Sequence, residues 1–197
     1  MLGGPDRKHE SVTLQSDVPF IDELLPDFDV ESCRRIDVAA AAETVYATAR
    51  RLDMSASWII RFLFRLRGMP RSALNAEGLA RIRFKPLLED PPRGFVLGLV
   101  GQFWTASGRL IDFEPTEFPD LNVPGFAKAI WSFDLTSDSP STTSLRTVTR
   151  VLCADPTSRR SFMRYWSVIG PFSGVIRAST LRSVKRSAEW SHNRGSA

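Results

Sequence analysis

Histidine is almost missing from this chain: of 197 residues only His9 and His192 carry an imidazole, and both stand near the ends. A serine or cysteine nucleophile needs a base within hydrogen-bond reach, so the body of the sequence offers no Ser–His or Cys–His pair. The same shortage removes most zinc ligand sets, and Cys33 and Cys153, far apart in the chain, do not restore one. No metal and no cofactor is expected. Two cysteines also form no disulfide framework; both read as small buried hydrophobes in strands.

Lysine is scarce as well. Of 26 basic residues only Lys8, Lys85, Lys128 and Lys185 are lysines, and the rest are arginines. Guanidinium suits bidentate pairing with carboxylates or phosphates. The arginines are scattered, however, and the net charge is only +4, so no clustered basic face with stacking aromatics speaks for a nucleic-acid partner. Long apolar runs are missing too. "WIIRFLFRL" is broken by Arg61 and falls far short of the ~20 residues of a spanning helix. The first residues, "MLGGPDRKHESVTLQSD", contain no apolar h-region. The expectation is a soluble cytoplasmic protein with no integral membrane segment.

What remains is an ordinary globular composition, 43% hydrophobic and 24% charged, in a length that suits one domain. Residues 1–20, charged and poor in large apolar groups, read as a flexible arm; 21–190 read as a single domain and 191–197 as a flexible tail. "ESCRRIDVAA" alternates as a strand. "AAETVYATARRLD" and "SASWIIRFLFRLRG" follow at helical spacing, the second stopped by Gly68 and Pro70. The texture then changes to period two through "LARIRFKPLL", "FVLGLVGQFWTA", "RLIDFEP", "FAKAIWSFDLTS" and "TTSLRTVTRVLC". The turn "EDPPRG" separates the first two of these. Asp155-Pro156 opens a last, long helix. Strands joined by short turns imply an antiparallel sheet, which needs one face covered.

The last helix supplies the cover. At 100° per residue Phe162, Trp166, Ile169, Ser173, Ile176 and Val184 share one arc, and Arg160, Arg164, Arg182, Lys185 and Arg186 lie opposite. Such a helix can also lie on a membrane surface. Without it, however, the strands would expose Trp131, Phe133 and their neighbours to water, so the stripe is assigned to the core. Pro171 is expected to kink or interrupt the helix near Gly170.

The textures "LGLVGQFW", "PGFAKAIWSFDL" and "TSLRTVTRVLCADPTSRRSFMRYWSVIGPFSG", in this order of elements, resemble uncharacterised bacterial branches of the START and polyketide-cyclase-like (SRPBCC) superfamily over roughly residues 30 to 190. The resemblance implies an α+β helix-grip fold. A curved antiparallel sheet would wrap a long C-terminal helix, with two short helices after the first strand and an apolar cavity between sheet and helix. It also implies that the first strand pairs with the last, setting the strands of Cys33 and Cys153 side by side. No catalytic motif is shared across that superfamily.

Candidate site residues follow from this geometry. Trp131, Phe133, Thr147, Thr149, Phe162 and Trp166 would face one another, Gln102 or Trp104 would join from the neighbouring strand, and Tyr165 stands beside Trp166. Apolar walls with a few hydroxyls fit a small hydrophobic partner, of the lipid, polyketide or isoprenoid class. The alternative is a polyketide cyclase or aromatase using the same cavity, with Arg150, Tyr165 or Thr149 handling protons, although Arg150 alternates outward. Gly94, Gly98 and Gly101 match neither a Walker loop nor a dinucleotide fingerprint and read as relief of crowding in a strand. Asp112, Glu114, Glu117 and Asp120 read as a solvated loop. Catalytic residues, ligand identity and oligomeric state stay open.

Overall fold

The period-two segments pair into one sheet. The structure, a computed structural model, describes residues 20–51, 84–105 and 108–195. Residues 1–19 of the expected arm, the helix expected over "SASWIIRFLFRLRG" with Arg61 and Arg65, and residues 79–83 of an expected strand lie outside the described residues; Phe20, assigned to the arm, begins a helix.

Strands β1 (Val30–Val38), β2 (Lys85–Asp90), β3 (Gly94–Gly101), β4 (Leu110–Ile111), β5 (Ala127–Ser139) and β6 (Thr142–Cys153) form a six-stranded sheet in the order β1-β6-β5-β3-β2, with β4 also on β3. Every pairing is antiparallel. Pro140 and Ser141 close the β5–β6 hairpin, with Ser139 opposite Thr142. Helix α1 (Phe20–Leu24) precedes β1, α2 (Ala42–Arg50) follows it, and α3 (Pro156–Gly195) ends the chain. With α3 laid on the sheet's inner face, the architecture is a helix-grip fold.

First and last strands do pair, and the register separates the cysteines. Cys33 stands opposite Val148, and Val30 opposite Val151, so Cys153 lies beyond the end of the ladder. At ~3.3 Å per residue the two are well outside disulfide reach.

Asp155 starts α3 as its N-cap. Its Oδ1 accepts the backbone N–H of Thr157 (2.7 Å) and of Ser158 (2.9 Å), and its other oxygen accepts that of Gly125. These donors, Ser158 first, hold the carboxyl below the usual carboxylate range. Pro171 lies inside α3 without ending it. The helix also runs to Gly195, past residue 190, where the sequence suggests that a tail begins. Ile169, Leu181, Val184 and Ala188 are buried along the inward arc. The last three pack with Val38, Val45, Phe133 and Leu145. Each fully buried branched side chain contributes about 1.5–3 kcal/mol.

The outer face of the sheet departs from expectation. Alternation assigns Arg146, Val148 and Arg150 to the side away from the helix, and a sheet with one covered face would leave them wet. Instead Val96, Val100, Ile130 and Val148 form a second core with Ile21 and Leu25 beyond the sheet, and with Phe113 and Phe118 of the loop after β4. Two apolar faces explain why β3 reads as a nearly continuous hydrophobic run. Arg150, 8% exposed, sits among them. It pairs with Asp22 (2.6 Å) and Glu31 (2.7 Å), donates to the Leu25 carbonyl (3.0 Å) and lies over the Phe28 ring. This arginine fastens α1 to the sheet.

The glycines of β3 answer to close approach. A Cβ on Gly98 would stand 2.6 Å from Leu87 Cδ1, beside the irregular register between Pro86 and Leu88. Asp112 and Glu114, in the carboxylate-rich loop, are exposed; Lys85 pairs with Asp112 at 2.7 Å.

Candidate ligand-binding wall

Residue alternation places Phe95, Leu97 and Leu99 of β3, Ala129, Trp131, Phe133 and Leu135 of β5, and Leu145, Thr147, Thr149 and Val151 of β6 on the inner face. Cross-strand register sets Trp131 opposite Thr149 and Phe133 opposite Thr147. Trp131 donates its indole N–H diagonally to Thr147 Oγ1 at 2.6 Å, and the Thr147 hydroxyl donates to the Ser132 carbonyl at 2.8 Å. Thr149 is half-buried on the same face.

The predicted residues fall into two aromatic groups. In the first, Trp131 leans on Phe133 (ring centroids 4.8 Å apart), which stacks on Phe95 at 4.7 Å, and Tyr46 of α2 meets Phe95 edge-on at 5.9 Å. In the second, Phe162 is the hub. Trp104 lies 5.7 Å away, Phe103 5.9 Å, Tyr165 6.2 Å and Trp166 5.8 Å. The Trp104 indole N–H reaches Ser161 Oγ at 3.0 Å. Phe84 packs against both groups and meets Trp131 at 6.2 Å. The two groups differ in access: Trp131 and Phe133 are buried, whereas Phe103, Trp104, Tyr165 and Trp166 are half-exposed around a buried Phe162.

Of the two candidates on the segment after β3, Trp104 joins the wall and Gln102 does not. The Gln102 amide bridges loops instead, donating to the Gly125 carbonyl (2.8 Å) and accepting from Arg109 (2.7 Å). Arg150 is on the opposite side of the sheet, as its alternation implies. Sequence reasoning missed Phe84, Phe95 and Phe103, which stand at strand ends or in a run where both neighbours are apolar and period two gives no side.

It also missed Arg177. This residue sits on the inward arc of α3 and is 4% exposed. Burial, reinforced by the nearby Arg34 guanidinium, pulls its pKa down to about 10. The apolar stripe read from the sequence runs through Arg177 unbroken only because a helical wheel scores one cation as noise. Thr180, one turn further on, is buried as well. Among the described residues no group of three or more His, Cys, Asp or Glu is placed to hold a metal ion. No helix among them is long and apolar enough to cross a membrane.

Neither a scan against protein-family models nor a search of curated proteins finds a match. Solved structures do align. A conserved protein from Geobacillus kaustophilus shares 14% identity, over 83% of this chain and 97% of that one, with a TM-score of 0.44. The di-domain ARO/CYC protein BexL from the BE-7585A biosynthetic pathway shares 15% over 81% of this chain and 46% of its own, at 0.31. A point mutant of norcoclaurine synthase from Thalictrum flavum, in complex with a transition-state analogue, shares 9% over 81% and 93%, at 0.32. With scores this low, the helix-grip fold stands on the strand order and register of the chain itself.

Proposed function

We propose that the protein binds a small hydrophobic molecule, of the lipid, polyketide or isoprenoid class, between the inner face of the sheet and α3. One observation carries the reading. An aromatic wall runs without a break from the half-exposed Phe162 group, through Phe84, to the buried Trp131 group, where the half-buried Thr149 hydroxyl stands. Apolar walls with a few fixed polar groups hold a nonpolar ligand by burial and orient it by hydrogen bonds. The half-exposed end is the entrance, because aromatic area left in water there is recovered when a ligand covers it.

The test is native mass spectrometry of protein taken from cells, followed by titration with a fluorescent fatty acid. Phe103→Ala and Trp166→Ala, both at the half-exposed end, should each weaken uptake several-fold without loss of fold. Full-strength uptake by the double variant, or no retained or titratable ligand in the parent protein, would defeat the proposal.

A further inference from the structure

A cavity lies away from that wall. It has a volume of about 370 Å³, half open to solvent, under the loop that joins the short 3-10 turn Pro115–Glu117 to β5. Val100, Leu121, Val123, Phe126 and Leu152 supply apolar lining, and Lys128 supplies a cation. Val100, Lys128 and Leu152 alternate onto the outer face of the sheet. None of the aromatic residues of the inner wall takes part.

Lys128 is held where a ligand can reach it. Its Nζ donates to the carbonyls of Pro119 (2.7 Å) and Phe118 (3.3 Å), which fixes a flexible side chain in one place at the cavity wall. An ammonium has three N–H donors, so one remains beyond those two bonds. The two carbonyls are neutral. Asp120, at the rim and exposed, gives partial charge compensation, but burial still pulls the Lys128 pKa below its ordinary value. A half-buried ammonium with Val100, Leu121, Phe126 and Leu152 beside it is complementary to a carboxylate on a hydrocarbon body, the exposed Asp120 facing the solvent side.

We infer that this cavity is a binding site for a medium-sized hydrophobic carboxylic acid, whose carboxylate pairs with Lys128 and whose apolar body lies along Val100, Leu121, Phe126 and Leu152. It shares no residue with the inner wall, so the two binding proposals stand or fall separately.

The probe is octanoate, with octan-1-ol as the uncharged counterpart, titrated into isotopically labelled full-length protein and followed through backbone amide shifts. Octanoate should move the amides of Leu121, Val123, Lys128 and Leu152 and leave Trp131, Thr147 and Thr149 in place. Lys128→Met should weaken octanoate at least about tenfold, the worth of one charge-assisted hydrogen bond, and leave octan-1-ol unchanged. Val123→Phe, which keeps the lysine and fills the space, should abolish both, and it serves if Lys128→Met fails to fold. Equal octanoate affinity with and without Lys128, undiminished binding by Val123→Phe, or shifts confined to the inner-wall amides would overturn the assignment. That last outcome would leave the inner-wall binding proposal standing.

Discussion

The indole of Trp131 and the hydroxyl of Thr147 meet at 2.6 Å on neighbouring strands, beside the Phe133 ring and out of water. The bond does two things: it satisfies a buried donor, and it fixes the plane of the largest side chain on the inner face. Thr147→Val keeps the shape and removes the acceptor. Leaving the indole N–H without a partner should cost about 1–3 kcal/mol, read by urea unfolding, with a shift in tryptophan fluorescence. An unchanged midpoint would show that the indole finds another acceptor.

Arg150 holds α1 through Asp22, Glu31 and the Leu25 carbonyl. Its carboxylate partners are each about a third exposed, so solvent screens part of the attraction. Arg150→Met should therefore cost about 2–3 kcal/mol, below the full figure for a broken buried pair. Hydrogen exchange should quicken over residues 20–28 more than in β5 and β6. Uniform quickening across the sheet would mean that the arginine supports the whole fold and not one helix.

Asp134 contributes a pH dependence of unusual sign. Burial is the main reason its pKa lies above the ordinary value of 3.8, against the pull of Ser132 and Arg146. Its Oδ1 meets no hydrogen-bond partner among the described residues, while Ser132 Oγ donates to Oδ2 at 3.0 Å. A folded state that binds the proton more tightly than the unfolded chain is favoured fully below 3.8 and loses that advantage as pH rises through the raised value. Asp134→Asn should be more stable than the parent at pH 7, and the gap should close on acidification toward pH 4. A gap that widens on acidification would reverse the assignment.

Two glycines of β3 should respond differently to alanine. At Gly98 the obstacle is the Leu87 side chain, with Cγ 2.8 Å and Cδ2 2.9 Å from the added carbon. At Gly94 it is the Phe133 backbone carbonyl, which cannot turn aside. Gly98→Ala should cost about 1–3 kcal/mol and be largely rescued by Leu87→Ala, read as a double-mutant cycle in thermal unfolding. Gly94→Ala should cost more, with no rescue from that second change. Equal losses at both positions would rule out side-chain crowding as the cause at Gly98.

Much of the fold was legible because β5 and β6 alternate strictly. On β6, Leu145, Thr147 and Thr149 cannot share a side with Arg146 and Arg150 in any register, and the 100° arc of α3 names its buried face. The candidate wall was legible to the same extent: Trp131, Phe133, Thr147 and Thr149 sit where alternation puts them, with Phe162 and Trp166 above. Phe95 was not, since β3 is apolar on both sides, and Phe103 was not, since it stands in the turn after β3. Arg177 was hidden because a single cation inside a long apolar stripe changes no periodicity.

By itself the sequence determined the run of antiparallel strands, the long last helix and the sidedness of β5 and β6, since these follow from local sterics and the two periods, 2 and 3.6. Tertiary structure decided what lies over each side. That α1 and the loop after β4 close the outer face, that Arg150 is buried there, and that a lysine-lined cavity opens beneath residues 119–126 all depend on segments brought together from far apart in sequence. Such pairings are set by the shape and charge of both partners at once, and neither partner's own pattern records the other.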